Sequence, residues 1–423
     1  MRFARLPVIG ALVVAMVWAG TGTGSAAAAS RFVQRTHVLW SVNGDPGTLF
    51  GWAVSELADV NGDGVTDAIV SAPLDGGSST GAVYAYSGAN GDLLDEFHGQ
   101  PNDLFGYAVA DAGDVNDDGV HDILVGARGG NEAFVFSGAT GSPTPLLTLH
   151  GEAAGDAFGF AVASAGDVNG DHHADVLVGA VANDAAGTNA GRAYVYSGAD
   201  GSLLYSMNGD KAGDLFGSAT DHTEDLNGDG VGDLLIGARN AGHDHGGRAY
   251  AYSGANGHRI WSSPKDKTNH DLGWFFVADV GDLNHDGVSD VYGGDFTYSV
   301  GGVNTGRVQI FSGVDGSVLR SWTGSSAKQG FGPGREAGDV DGDHIPDIAV
   351  GSYTSSDGAK AAGKVEIFSG ATGDRLRVLT STNAHENFGF DTEGLGDTNH
   401  DGHPDLLVSA ATGSNVYLIS GTN

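Results

Sequence analysis

From about residue 36 onward, apolar residues come in runs of four to eight, rich in valine, leucine, isoleucine and tyrosine and bounded by glycine. Some runs, such as DAIVSAP and DILVGAR, are almost continuous. Others alternate, as in GAVYAYSGANG and GRAYVYSGADG, and shorter ones such as SLLYSMNG follow. Runs this short, with such composition and borders, predict β-strands and leave no convincing helix.

The runs recur in a fixed order around an acidic nonapeptide. DVNGDGVTD (59–67) is followed by DVNDDGVHD (114–122), DVNGDHHAD (167–175), DLNGDGVGD (225–233), DLNHDGVSD (282–290), DVDGDHIPD (339–347) and DTNHDGHPD (397–405), with starts 53 to 58 residues apart. Phe-Gly or a near equivalent precedes each loop (Phe50-Gly51, Phe105-Gly106, Phe158-Gly159, Phe216-Gly217, Phe388-Gly389), and an alternating run ending in Ser-Gly comes after it. Each unit thus supplies four short strands. A unit of that size cannot cover its own faces, so seven in succession predict an all-β, seven-bladed β-propeller of four-stranded antiparallel blades. Blades are expected to start near 50, 105, 158, 216, 272, 331 and 388. The last unit ends at its third strand, NVYLISGTN, while THVLWSVNG (36–44) looks like a spare fourth strand. The N-terminal strand is therefore expected to complete blade seven and close the ring, which also removes an exposed edge.

Composition adds constraints. The 423 residues include 53 acidic and 20 basic side chains, a formal net charge of -33, and no cysteine. Such a surface repels nucleic acid and anionic membranes. Residues 1–29, with Arg2 and Arg5, an apolar run from Leu6 to about Ala19 and the tail SAAAAS, read as a secretory signal peptide. That leaves 31–423 as one secreted domain, expected to be a monomer without membrane insertion, and one that no disulfide can staple.

The acidic loops offer a staple. Asp59, Asn61, Asp63 and Asp67 occupy positions one, three, five and nine, with the Val65 carbonyl at seven. These are hard oxygen donors of the kind Ca²⁺ prefers, with no sulfur for a softer metal. The corresponding sets are Asp114, Asn116, Asp118, Val120, Asp122; Asp167, Asn169, Asp171, His173, Asp175; Asp225, Asn227, Asp229, Val231, Asp233; Asp282, Asn284, Asp286, Val288, Asp290; Asp339, Asp341, Asp343, Ile345, Asp347; and Asp397, Asn399, Asp401, His403, Asp405. Up to seven calcium ions are expected. No loop has the position-twelve glutamate of an EF-hand; that place is held by Val70, Val125, Val178, Ile236, Gly293, Val350 and Val408. Ion-free Asp-Gly turns are the plainer reading, but turns do not require three or four carboxylates within nine residues. His172 and His344 replace the turn glycine, so weaker binding is expected in those two loops.

The Phe-Gly pairs, the acidic loops and the later Ser71-Ala72-Pro73, Gly126-Ala127, Gly179-Ala180 and Gly237-Ala238 resemble the FG-GAP repeats of the integrin α-subunit head. Such repeats also occur in bacterial exported proteins and in an integrin-like fungal lectin. The resemblance covers nearly all of the mature chain. It implies a propeller with β-hairpin calcium loops that serves as a binding or adhesion module for a protein or glycan. Unit five departs from the pattern, with Leu272-Gly273 and Gly293-Gly294-Asp295.

In a four-stranded meander the acidic loops and the Ser-Gly hairpins share one face, and the remaining loops the other. The second set is longer and more varied, for example VANDAAGTNAG, RNAGHDHGG and DFTYSVGGVNTG, which marks it as the ligand face. Candidates there are Arg239, His243, His245, Trp274, Phe296, Tyr298 and Tyr353. Enzyme signals are weak. GSSTG (77–81) matches a nucleophile pattern but sits in a propeller loop, and His243-Asp244-His245 is a short exposed pair. A polysaccharide-lyase-like enzyme and a structural envelope component remain as alternatives.

Overall fold

The computed structural model describes residues 31–139, 142–242, 245–265 and 271–422. The expected signal peptide and the candidate His243 lie outside the described residues. Residues from Phe32 onward form one unit, in which the 28 strands make seven four-stranded antiparallel sheets. Blade two is representative: Phe105–Gly113 is its inner strand, followed outward by Asp122–Ala127, Glu132–Phe136 and Pro145–His150. The first six sheets are consecutive meanders. The seventh combines Thr392–Gly396, Asp405–Ala410 and Asn415–Ile419 with Val38–Asn43, which is its outer strand and pairs Trp40 with Leu418 and Val42 with Val416.

The apolar pattern maps onto depth in each blade. All seven second strands, such as Asp67–Ala72 and Asp175–Ala180, are buried at every residue. A strand covered on both faces needs a continuous apolar run, and this is where the runs are continuous. Outer strands such as Leu93–His98 and Leu203–Asn208 keep one face to solvent and bury one or two residues.

The cores lie between blades. Ile69, Val83 and Phe97 of blade one pack with Phe105, Ile123 and Phe136 of blade two. Leu407, Val416 and Leu418 of blade seven pack with Phe50, Ala68 and Val70 of blade one. The phenylalanine of each Phe-Gly pair anchors such a layer. Phe158, fully buried, sits 5.6 Å from Tyr194 and 6.0 Å from Tyr196.

The glycines allow the blades to meet. A Cβ on Gly179 would lie 2.3 Å from the carbonyl oxygen of Gly217 in the next blade, and one on Gly126 would lie 2.2 Å from that of Gly159. Backbone meets backbone at these two positions, which leaves no room for a side chain in blades two and three. Ser71 and Ser409 hold this place in blades one and seven. Outer strands add a second tie, reaching the Ser-Gly turn of the following blade: Trp40 Nε1 donates to the Gly88 carbonyl at 2.8 Å, and Trp261 Nε1 to that of Gly313 at 2.6 Å.

Inner strands converge on the axis, and their polar residues act on one another across it. Glu56, Asp111, Asp221, Asp279, Glu336, Asp391 and Glu393 bring carboxylates there, with His222 and Arg335. Arg335 Nη1 bonds Asp391 at 3.2 Å and Glu393 at 3.0 Å, spanning blades six and seven. Burial pushes the Glu336 carboxyl up to about 7 and that of Glu393 up to about 8; neighbouring carboxylates add to both shifts, while Arg335 opposes the second.

Candidate functional site: seven acidic loops and an aromatic plate

Each acidic loop is a tight turn closed by its own carboxylates. In the first, Asp59 Oδ1 accepts from the amides of Gly62 (2.7 Å) and Asp63 (3.0 Å), and Oδ2 accepts from Gly64 (2.7 Å). Asn61 Oδ1 accepts from the Asp63 amide and Asp63 Oδ1 from the Val65 amide. The position-six amide donates to the position-one aspartate in all seven loops, His172 and His344 included. Those two histidines adopt φ of +73° and +69° against +86° for Gly64. The turn that the sequence assigns to glycine therefore forms without it. A second left-handed residue, at position four, was not legible from the glycine pattern: Asp117, His285 and His400 hold it at φ of about +60°.

Position nine is the deepest. Asp67, Asp122, Asp175, Asp233, Asp290, Asp347 and Asp405 are fully buried. Each accepts from the position-two amide and from the glycine of its own blade's Ser-Gly turn, as in Val60 N (3.1 Å) and Gly88 N (3.1 Å) on Asp67. The Ser-Gly hairpin thus forms part of the acidic site. Ser87, Ser253 and Ser420 also donate to the position-five carboxylates Asp63, Asp229 and Asp401. Recurrence of Ser-Gly in every unit was the available signal for this role.

These buried carboxylates have amide, asparagine and hydroxyl partners but no cationic one among those bonds. Burial pushes six of them up to about 6; the position-one and position-five aspartates add to this for most of them, and the backbone donors oppose it. Asp405 is raised for the same leading reason. Such a site lacks positive charge, and its donors are all oxygen, so the residues present fit a hard divalent cation. In the sixth loop, where Asp341 replaces asparagine, one oxygen each of Asp339, Asp341 and Asp347 lie within 4.8 Å of one another.

The loops between second and third strands and those between blades interlock on the other face, where Asn102 N donates to Ser78 O and Leu104 N to Ser79 O. GSSTG is part of this lattice, and Thr80 Oγ1 closes it on the Gly77 carbonyl. At the centre lies a plate of packed rings, stacked in the Phe160–Phe275–Trp274 row and tilted or edge-on elsewhere. Trp52 contacts Tyr107 (5.4 Å between ring centroids), Phe390 (5.1 Å) and Phe275 (6.1 Å). Phe160 stacks on Phe275 at 5.5 Å, and Trp274 joins Phe275 at 5.3 Å and Phe296 at 5.0 Å. Tyr353 links Phe296 to Phe390.

The structure brings together four of the seven candidates for this face, Arg239, Trp274, Phe296 and Tyr353, with the Arg239 guanidinium 4.3 Å over Trp274. Tyr298 instead lies under Arg307, and His245 is exposed, its ring bonded to the Asn240 carbonyl. Sequence reasoning missed Trp52, Tyr107, Phe160, Phe275, Phe390 and Arg128. Five units carry an aromatic residue directly after the Phe-Gly pair or its equivalent, which was a readable signal.

Comparison with known proteins agrees with this geometry. The FG-GAP repeat model matches residues 50–86 and 216–253, and the FG-GAP-like repeat model matches 114–178. Integrin alpha-7 of Rattus norvegicus is 38% identical over 149 residues, covering 32% of this chain and 13% of that protein. Integrin alpha-3 of Mus musculus is 32% identical over 167 residues, covering 36% and 16%. Integrin alpha-5 of Xenopus laevis is 30% identical over 198 residues, covering 40% and 18%. The matched stretches therefore span less than a fifth of these relatives. With the seven sheets and the repeated loops, they show this chain as a seven-bladed β-propeller that matches FG-GAP repeat models over part of its length and is similar to integrin α-subunits.

Proposed function

We propose that the protein is an exported, calcium-stabilised binding module that holds a protein or glycan ligand on the face opposite its acidic loops. The observation that carries this reading is the contrast between faces: seven copies of one loop on one side, and varied loops around a shared aromatic plate on the other. A scaffold maintained by repetition and a surface released from it is the arrangement a ligand-holding repeat protein needs. Similarity to integrin α-subunits supports a protein ligand. Among the described residues no helix is long and apolar enough to cross a membrane; residues 1–29 are proposed as a signal peptide and 31–423 as one monomeric propeller.

Calcium would be held by the position-one, -three, -five and -nine side chains and the position-seven carbonyl of each loop, beginning with Asp59, Asn61, Asp63, Val65 and Asp67. The bound ion supplies the positive charge that the buried aspartates lack. Seven such ions would offset fourteen of the thirty-three excess negative charges.

The test is to probe glycan and extracellular-protein arrays with the full chain, in millimolar calcium and after chelation. Capture in calcium that falls on substituting Trp274→Ala is the expected result. A silent array in calcium, or capture indifferent to Trp274 and Tyr353, would overturn the assignment of the face.

A further inference from the structure

We propose that the aromatic plate carries an anion site, formed by Arg128, Arg239, Tyr107 and Trp274, for a ligand that presents a single carboxylate on a flat ring. The proposal rests on the plate's face being the ligand face and names the chemistry recognised there.

Arginines are scarce in this acidic chain, and several are committed to carboxylates: Arg192 to Glu152, Arg259 to Asp210, Arg335 to Asp391 and Glu393, Arg375 to Glu366. Arg128 and Arg239 hold equivalent places, each directly after a Gly-Ala pair, in blades two and four. Among the described residues their guanidiniums have ring partners and no carboxylate within ion-pair distance. Arg128 lies 4.0 Å over Tyr107 and 5.8 Å from Phe160, and Arg239 lies 4.3 Å over Trp274. Asp271 acts on Arg239 from farther off and is itself bonded to Thr297.

A second observation points to what is missing. The Tyr107 hydroxyl, the Trp274 indole N–H and the Arg128 Nε are buried with no hydrogen-bond partner. Tyr107 is only 5% exposed, and its hydroxyl lies in the field of both guanidiniums. Leaving such groups unpaired is unfavourable. The Trp274 N–H and the Arg128 Nε can only donate and the Tyr107 hydroxyl can donate as well, so an acceptor is the partner that suits all three.

The Tyr107 and Trp274 rings are covered by the two arginines, which leaves forked, cationic donors to be met. A planar carboxylate matches that fork, and a flat ring beside it would meet the part-exposed Trp52 and Phe275. One charge is favoured over many, because a net charge of -33 repels a polyanion at a distance.

Trp52 and Trp274 give the site an intrinsic fluorescence readout. The calcium-loaded full chain is titrated with benzoate, benzamide and acetate at constant ionic strength. Benzoate is expected to give a saturable change, with benzamide and acetate each about tenfold weaker. Arg128→Met and Arg239→Met are each expected to weaken benzoate about tenfold without moving the melting temperature. Arg128→Lys, which keeps the charge but loses the fork, should weaken it less and serves if the Met variant does not fold. Equal binding of benzoate and benzamide would overturn the anion site. Equal binding of acetate would overturn the ring requirement and point to an acidic peptide side chain. Benzoate binding untouched in both arginine variants would also overturn it. Should the arrays capture a ligand that depends on Trp274 while all three titrations stay flat, this inference fails and the ligand face stands.

Discussion

The two faces of the propeller solve opposite problems with the same strands. On one face, seven loops repeat a single hydrogen-bond scheme so closely that His344 is drawn into the backbone conformation of Gly64. On the other, equivalent positions have diverged into Pro73, Arg128, Val181, Arg239, Phe296, Tyr353 and Ala411. On the proposed reading, the difference separates stability from recognition. The acidic face concentrates charge that only a cation can neutralise, whereas the plate is held by ring contacts that need no ion.

Withdrawing calcium should therefore separate the faces most strongly. With a dissociation constant of about 0.1 mM per loop and ~1 mM free calcium, each ion contributes roughly 1.4 kcal/mol, and seven independent sites on the order of 10 kcal/mol. Chelation is expected to lower the melting temperature by about 10 °C or more in calorimetry. A melting curve unmoved by chelator would mean that the loops are self-sufficient turns.

A smaller but still large effect is expected midway between the faces. Arg335 bonds Asp391 and Glu393, and its guanidinium also acts on Asp221 and Glu56. Arg335→Met leaves those carboxylates uncompensated and should cost about 3–5 kcal/mol, in calcium as in its absence. A loss that vanished in calcium would show that the axis and the acidic loops are one cooperative unit.

The smallest effect is a pH dependence from the same wall. Glu393 and Glu336 have folded pKa values of about 8 and about 7, above their unfolded values. Their contribution is fully present below about pH 4 and is lost as pH rises through 7 to 8. The facing groups are Glu56, Asp111, Asp221, His222, Asp279, Asp391 and Arg335. Between pH 6 and 9 the melting temperature should fall by a few degrees, and Glu336→Gln should flatten part of that slope. A profile that rises with pH would contradict the burial that raises these groups.

Repetition explains what was legible. Seven nonapeptides, their spacing and the strand runs between them revealed the blade count and the four strands of each blade, because each signal lies within one unit. The aromatic plate was only partly legible: Trp52, Phe160 and Phe390 follow Phe-Gly pairs, but their meeting with Phe275 and one another is fixed only where several blades converge. Glu56, Asp221 and Glu393 stand three or four residues before their acidic loops and gain meaning only across the axis. Arg128 lay beside a recognised Gly-Ala pair, yet nothing local distinguished it from Arg239 or marked either as lying on a ring.

The sheet that joins Val38–Asn43 to Asn415–Ile419 has a consequence for biogenesis. Its outermost strand is made before the six intervening sheets and its immediate neighbour after them, so the earlier segment must wait unpaired while those sheets are synthesised. Until then it is an open template, exposed to any passing extended chain. A long-range pairing of this kind is slow to form, and deletion of those first few residues should show up chiefly as a loss of yield through misassembly.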